Sequence, residues 1–195
     1  MNPTPHPPHP VMTSHPIPVT DAHTHLWDPS VVRYDWLASV PPLNRAFVLS
    51  DYNQATEGMG ITRMVFVEPN PNPTDNVKEV EWVEKLAAEE PRLQGIVPYV
   101  DLNATDTVEE ELERMAAKTL VRGVRHNIQF NESGFALQPS FVEGIRIVHR
   151  LGMHFELCLT HDQLPEVNQL VDLLPPELPL MLDHCAKPGI KAGEI

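Results

Sequence analysis

Cationic side chains are scarce in this sequence: 14 Lys and Arg stand against 27 Asp and Glu, for a formal charge of -13. Nucleic acid and anionic membrane surfaces are held through clustered Lys and Arg, so neither is an expected partner. The acids gather in segments such as "TVEEELERM", which read as the solvated face of a helix and identify no partner. Cysteine is nearly absent, and Cys158 and Cys185 form neither a C-x-x-C pair nor a disulfide framework. Two buried thiols in a reducing compartment, the cytoplasm, are therefore expected. No apolar run reaches the roughly 18 residues of a membrane span, and the N-terminal segment lacks the apolar region of a secretory signal. G-x-G-x-x-G and Walker-type glycine loops are missing too, which removes the strongest sign of a nucleotide-binding open sheet.

The N-terminal segment, residues 1–18, holds seven of the 21 prolines. It reads as a disordered leader in which His6, His9 and His15 are incidental. Beyond it, apolar strand-like runs at 19–22, 64–67, 96–100, 121–128, 155–159 and 180–182 alternate with segments of helical period. Val108, Leu112, Met115 and Ala116 mark one such segment, and Val167, Leu170, Val171 and Leu174 another. "NVKEVEWVEKLAAEE" and "PSFVEGIRIVHRLG" have the same period, the second with Pro139 near its start and Gly152 as its stop. Parallel neighbouring strands need a crossover, usually a helix, so this alternation predicts an α/β fold with a parallel sheet.

Polar residues collect where each run ends. His23 and His25 end the first, Glu68 and Asn70 the second, Asp101 and Asn103 the third, and Arg125 to Gln129 the fourth. His161 and Asp162 end the fifth, and Asp183, His184 and Lys187 the sixth. An open sheet gathers such groups at one switch point, whereas a (β/α)8 TIM barrel gathers them along the whole C-terminal rim. Residues 19–195 are accordingly expected to form a partial barrel of about six strands, C-terminally truncated, with exposed strand edges.

The stretch "VTDAHTHLWDP" places two histidines at i and i+2, which on a strand share one face. His184, in "LDHCAKPGI", can approach them across a barrel mouth. His23, His25 and His184 are thus the candidate catalytic residues. They would either ligate one divalent ion, zinc foremost, or bind and polarise a carbonyl without a metal. Arg122 and Arg125 are three apart, so only one faces the interior. Arg125, nearer the rim, is the candidate to hold substrate oxygens through its rigid fork of donors, with pairing to a carboxylate of the helical layer as the alternative. Trp27, His161 and Lys187 are further candidates for substrate contact, each with a plainer alternative in packing, loop or solvated roles. Asp28 before Pro29 suits a turn. Glu68 either faces the site or caps the next helix or loop, and His149 and His154 read as structural.

"DAHTHLWD", "YDWL", "RGVRHNIQ", "FELCLTHDQL" and "DHCAKP" together, in this order, resemble the amidohydrolase superfamily. Within it they are most similar to the branch of sugar-lactone and pyrone dicarboxylate lactonases, described as metal-dependent hydrolases of the TIM-barrel fold. The resemblance implies that His23, His25 and His184 surround the reacting water in the opening of a small-molecule lactone. It implies a further ligand from strand five in metal-dependent members, for which His161 is the nearest residue. It also implies a general-base aspartate ending strand eight, which has no counterpart here, so the 195-residue chain alone is expected to be catalytically silent and loosely packed. A metal-dependent decarboxylase of the same superfamily and a non-catalytic binding barrel are the rival expectations.

Overall fold

A computed structural model describes residues 17–193. The expected leader falls almost wholly outside the described residues, and so do His6, His9 and His15. Six parallel strands follow one another in chain order: β1 (Val19–Thr24), β2 (Ile61–Val67), β3 (Leu93–Val97), β4 (Gly123–Arg125), β5 (His154–Leu157) and β6 (Leu180–Leu182). β1, β2 and β3 pair with registers such as Asp21 to Met64 and Phe66 to Ile96. β4, β5 and β6 pair through Arg125 to Glu156 and Leu157 to Leu182. Two isolated parallel bridges, Ile96 to Val121 and Tyr99 to Arg125, join β3 to β4.

Helices fill every crossover: α1 (Leu49–Ala55), α2 (Asn76–Glu89), α3 (Val108–Ala116), α4 (Pro139–Arg150) and α5 (Leu164–Asp172). α3 shows why its sequence makes a helix. Val108, Leu112 and Met115 are buried, Glu109, Glu110 and Glu113 are exposed, and three acids lie in the first turn, where the helix dipole favours them. Each fully buried side chain on that stripe contributes about 1.5–3 kcal/mol. Together with Met64, Phe66, Ile96, Val124, Phe155, Val80, Val83, Ile145 and Leu170 these residues form one continuous core.

α4 approaches the β3–α3 loop so closely that a Cβ on Gly144 would lie 2.6 Å from the Leu102 carbonyl oxygen and 2.8 Å from Leu102 Cβ. Alanine is the better helix former by up to about 1 kcal/mol, yet the atom it would strike is backbone and cannot rotate away. Gly144→Ala should therefore destabilise, by about 1–3 kcal/mol, as a lowered thermal midpoint. An unchanged or raised midpoint would contradict this packing.

The wall is curved. In a flat sheet, β1 and β6 would stand about 24 Å apart, five spacings of ~4.8 Å. The rings of His23 near the end of β1 and His184 after β6 instead lie 4.7 Å apart between centroids. The barrel is not closed by the described strands: Met181 and Leu182 on β6 are 53% and 44% exposed, and Val19 on β1 is also exposed.

Several boundaries differ from expectation. The run 121–128 is a strand only at Gly123–Arg125, because the Ile128 and Gln129 amides both donate to the Cys158 carbonyl and so draw the chain out of the sheet. α1 is a short helix with no fully buried residue and only Leu49 and Tyr52 packed against the core, too little for periodicity to mark it; Asp51 caps it by accepting from the Val48 amide. Cys158 is buried as expected, but Cys185 is exposed, since β6 ends at Leu182 and the chain enters a turn. Among the described residues no helix is long and apolar enough to cross a membrane.

Candidate active site

Arg125, the last residue of β4, organises the rim. It is almost fully buried and donates from Nε to Glu68 Oε1 at 2.6 Å and from Nη1 to Asp183 Oδ2 at 2.9 Å, while Nη2 donates to the Glu68 carbonyl. Burial alone would disfavour its charge, but the facing Glu68 carboxylate and the Asp183 hydrogen bond raise its pKa above the ordinary value. Burial pushes Glu68 up to about 6, against the pull of Arg125 and of the Asn70 amide, so it is ionised at neutral pH. The guanidinium expected to hold substrate thus spends its donors on two carboxylates, the Glu68 carbonyl and, at 3.4 Å from Nη1, His23 Nε2, fixing residues that follow β2 and β6. Arg122 is turned away and donates to the Thr119 carbonyl.

Asp183 is held on one oxygen only. Its Oδ1 is buried with no hydrogen-bond partner among the described residues, and it lies 3.8 Å from His23 Nδ1. Ligand atoms of His23, Asp183 and His184 all lie within 4.8 Å of one another. An orphaned carboxylate oxygen beside two imidazoles is the donor set that a divalent cation satisfies, and two nitrogens with one oxygen suit zinc. Burial, with Arg125 contributing, lowers the His23 pKa despite Asp183, which favours the neutral, ligating imidazole.

His25, expected as a third ligand, is not in that group. Its ring stands edge-on to His23, with centroids 4.8 Å apart, so the predicted adjacency holds. Its Nδ1–H donates to the Val67 carbonyl at 2.8 Å, which leaves the lone pair on Nε2. Burial and then Arg125 hold its pKa down at about 4, so it is neutral at physiological pH. His161 is also outside the group, its Nδ1–H donating to the Lys187 carbonyl at 3.1 Å.

A cleft of about 290 Å³ opens beside these groups, lined by His25, Trp27, Trp36, Arg125, His184 and Lys187 among others, and His184 is the member of the His23, Asp183 and His184 group that faces it. Trp27 both lines it and packs, against Phe47 and Trp36, with Nε1 donating to the Leu43 carbonyl. Asp28 makes the expected turn, accepting from the Ser30 amide at 2.9 Å. From the "YDWL" stretch Tyr34 donates to the buried Glu79 of α2 at 2.7 Å, and Trp36 donates to the Pro69 carbonyl at 2.8 Å.

The sequence profile of the Amidohydrolase family matches residues 20–194. The chain belongs to the amidohydrolase family. This amidohydrolase is 23% identical over 173 residues to an L-fucono-1,5-lactonase of Burkholderia multivorans, covering 87% of this chain and 56% of that protein. It is 28% identical over 176 residues to a 4-sulfomuconolactone hydrolase of Rhizobium radiobacter, covering 89% and 54% respectively. A crystal structure of a Burkholderia multivorans amidohydrolase with bound zinc superposes with a TM-score of 0.73 at 23% identity, over 88% of this chain and 59% of that one. A 5-carboxyvanillate decarboxylase of Novosphingobium aromaticivorans shares the fold more distantly, with a TM-score of 0.56 at 10% identity over 82% of this chain and 56% of that one. The chain spans little more than half the length of these relatives.

The residues that sequence reasoning left without a role are Asp183 as a ligand, Glu68 as the partner of Arg125, and the pair Gln129 and Cys158 that holds Lys187. Asp183 carries the one usable signal. An aspartate directly after an apolar strand, and directly before a candidate histidine, stands where a carboxylate needs a cation or hydrogen-bond donors beside it.

Proposed function

We propose that this amidohydrolase hydrolyses a small-molecule lactone at the cleft that His25 and His184 line, beside the group of His23, Asp183 and His184 that would hold a divalent ion, zinc by donor type. The observation that carries the reading is the orphaned Oδ1 of Asp183 beside the two imidazoles. Arg125 strengthens it, because the guanidinium occupies Oδ2 and leaves Oδ1 as the ligating oxygen. When bound, such an ion polarises a carbonyl and lowers the pKa of water.

The chain's own groups supply the rest. His25 Nε2, its tautomer fixed by the Val67 carbonyl, is a neutral proton acceptor at the cleft wall. Trp27 and Trp36 present apolar faces that exclude water from the ring being opened. Arg125 lines the cleft and positions Asp183, its charge already matched by its two carboxylate partners. The lactone-hydrolase relatives support this chemistry, and the decarboxylase shares only the fold.

Equilibration with zinc followed by dialysis should leave about one ion per chain, and His184→Ala and Asp183→Asn should each lose it. Chelation should abolish any lactone hydrolysis. Zinc retained unchanged by both variants would remove the proposed metal site, and turnover indifferent to chelator would remove the metal from the reaction.

A further inference from the structure

The chain after β6 makes a turn of the wrong hand. His184, Cys185, Ala186 and Lys187 have φ of 50°, 51°, 58° and 50°, four successive non-glycine residues in the left-handed region. L-residues disfavour this by roughly 1–2 kcal/mol each, so such a run persists only where surrounding contacts impose it. The Lys187 amide donates to the His184 carbonyl at 2.9 Å, closing a tight turn of about three residues. Residues i and i+3 of such a turn lie on one side, which brings His184 and Lys187 to the same cleft.

Lys187 is then held from three directions. His161 donates to its carbonyl, and its Nζ donates to Gln129 Oε1 and to Cys158 Sγ at 3.2 Å. Gln129 and Cys158 are themselves tied, the Gln129 amide donating to the Cys158 carbonyl at 3.0 Å, so the acceptors form one platform. Both acceptors are neutral, since burial raises the pKa of the Cys158 thiol despite the nearby cations. No carboxylate of the described residues pairs with this ammonium, in a chain with almost twice as many acids as bases. Arg125, the other strong cation of the cleft, is already matched by Glu68 and Asp183. The adjoining cleft, which shares Trp36, Asn70, Asn127 and Gln129, has Asp35, amides, aromatic rings and His126 in its lining and no Lys or Arg.

We propose that Lys187 is the specificity residue of the cleft and that it selects a lactone carrying a single anionic group of the carboxylate class. A half-buried ammonium resting on neutral acceptors gains most when an anion replaces the missing counter-charge. A second carboxylate on the same ring would meet Asp35 and amides without a cation to receive it. The inference rests on the lactone reading and narrows its substrate.

The experiment is calorimetric binding to the full chain of three probes: γ-butyrolactone, its γ-carboxylate derivative, and a pyrone dicarboxylate. Binding needs no turnover, so it is read independently of hydrolysis. The monocarboxylate should bind about ten- to a hundredfold more tightly than the neutral lactone, and more tightly than the dicarboxylate. Lys187→Met should collapse that ratio to near one, Lys187→Arg should restore most of it, and Lys191→Gln should leave it unchanged. A far-ultraviolet spectrum shared by the variants excludes unfolding as the cause. Lactones bound with equal affinity whatever their charge would overturn the role of Lys187 alone, whereas no lactone bound at all would overturn the lactone reading with it.

Discussion

Arg125→Met should lower the unfolding free energy at pH 7.5 by about 3–5 kcal/mol, the largest effect expected of any single substitution here. Methionine fills much of the volume of the arginine stem, so the packing loss is small. What changes is charge. Glu68 is 0% exposed and Asp183 is 3% exposed, and both are left without the guanidinium that compensates them. Truncating one partner of a buried pair is strongly destabilising for that reason, even where the intact pair contributes little net stability. The sign with pH is fixed by Glu68. Burial already holds its pKa near 6 with Arg125 in place, and removing the cation raises it further. Lowering the pH to about 5 lets the carboxyl take up a proton, so the variant's deficit should shrink there. Urea unfolding at the two pH values measures both effects, and a deficit under about 1 kcal/mol at pH 7.5 would mean that the ion pair is not the rim's organiser.

The second large effect belongs to His126. Its Nδ1 accepts from the Leu102 amide at 3.2 Å, and its ring meets Tyr99, Phe135 and Phe141 edge-on, with centroids 5.2–5.4 Å away. An acceptor nitrogen cannot carry a proton, and burial among aromatics lowers the pKa to about 4 although Asp101 lies 3.8 Å away. The unfolded chain protonates this group near 6.5, the folded chain only near 4. Its stabilisation is therefore complete above about pH 6.5 and is lost progressively as pH falls toward 4, to a total of roughly 3 kcal/mol. His126→Asn offers an amide oxygen in place of Nδ1 and cannot titrate, so it should flatten that part of the profile. The difference between wild type and variant, from urea unfolding at pH 7.5 and pH 5, isolates this residue from the other histidines. Parallel profiles for the two proteins would refute the assignment.

What could be read in advance followed local rules. Apolar runs and their period located all six strands and four of the five helices, and the i, i+2 spacing set His23 and His25 side by side. The amidohydrolase resemblance tied His184 to them. The rest depended on partners far away in the chain. The partners of Arg125 cannot be picked out in the sequence, because its two carboxylates are 57 and 58 residues distant and lie on the rim rather than on the helical layer. His25 stands outside the group of ligand atoms within 4.8 Å of one another, and its bond to Val67 on β2, which leaves Nε2 as the acceptor, is likewise invisible in the sequence. The left-handed turn at 184–187 is invisible because it contains none of the glycine or asparagine that normally marks such backbone.

The curl of the wall has a kinetic side. Each strand and its following helix can assemble from neighbours in the chain, but the Arg125 links to His23, Glu68 and Asp183 span 102, 57 and 58 residues. Contacts of such high contact order form late, after the entropy of closing the intervening chain has been overcome. The cleft is thus a product of the final folding event, and a state that keeps its helices while the wall uncurls has no site at all. A ligand of this cleft would report on completion of the tertiary fold, while helical content would report only on its parts.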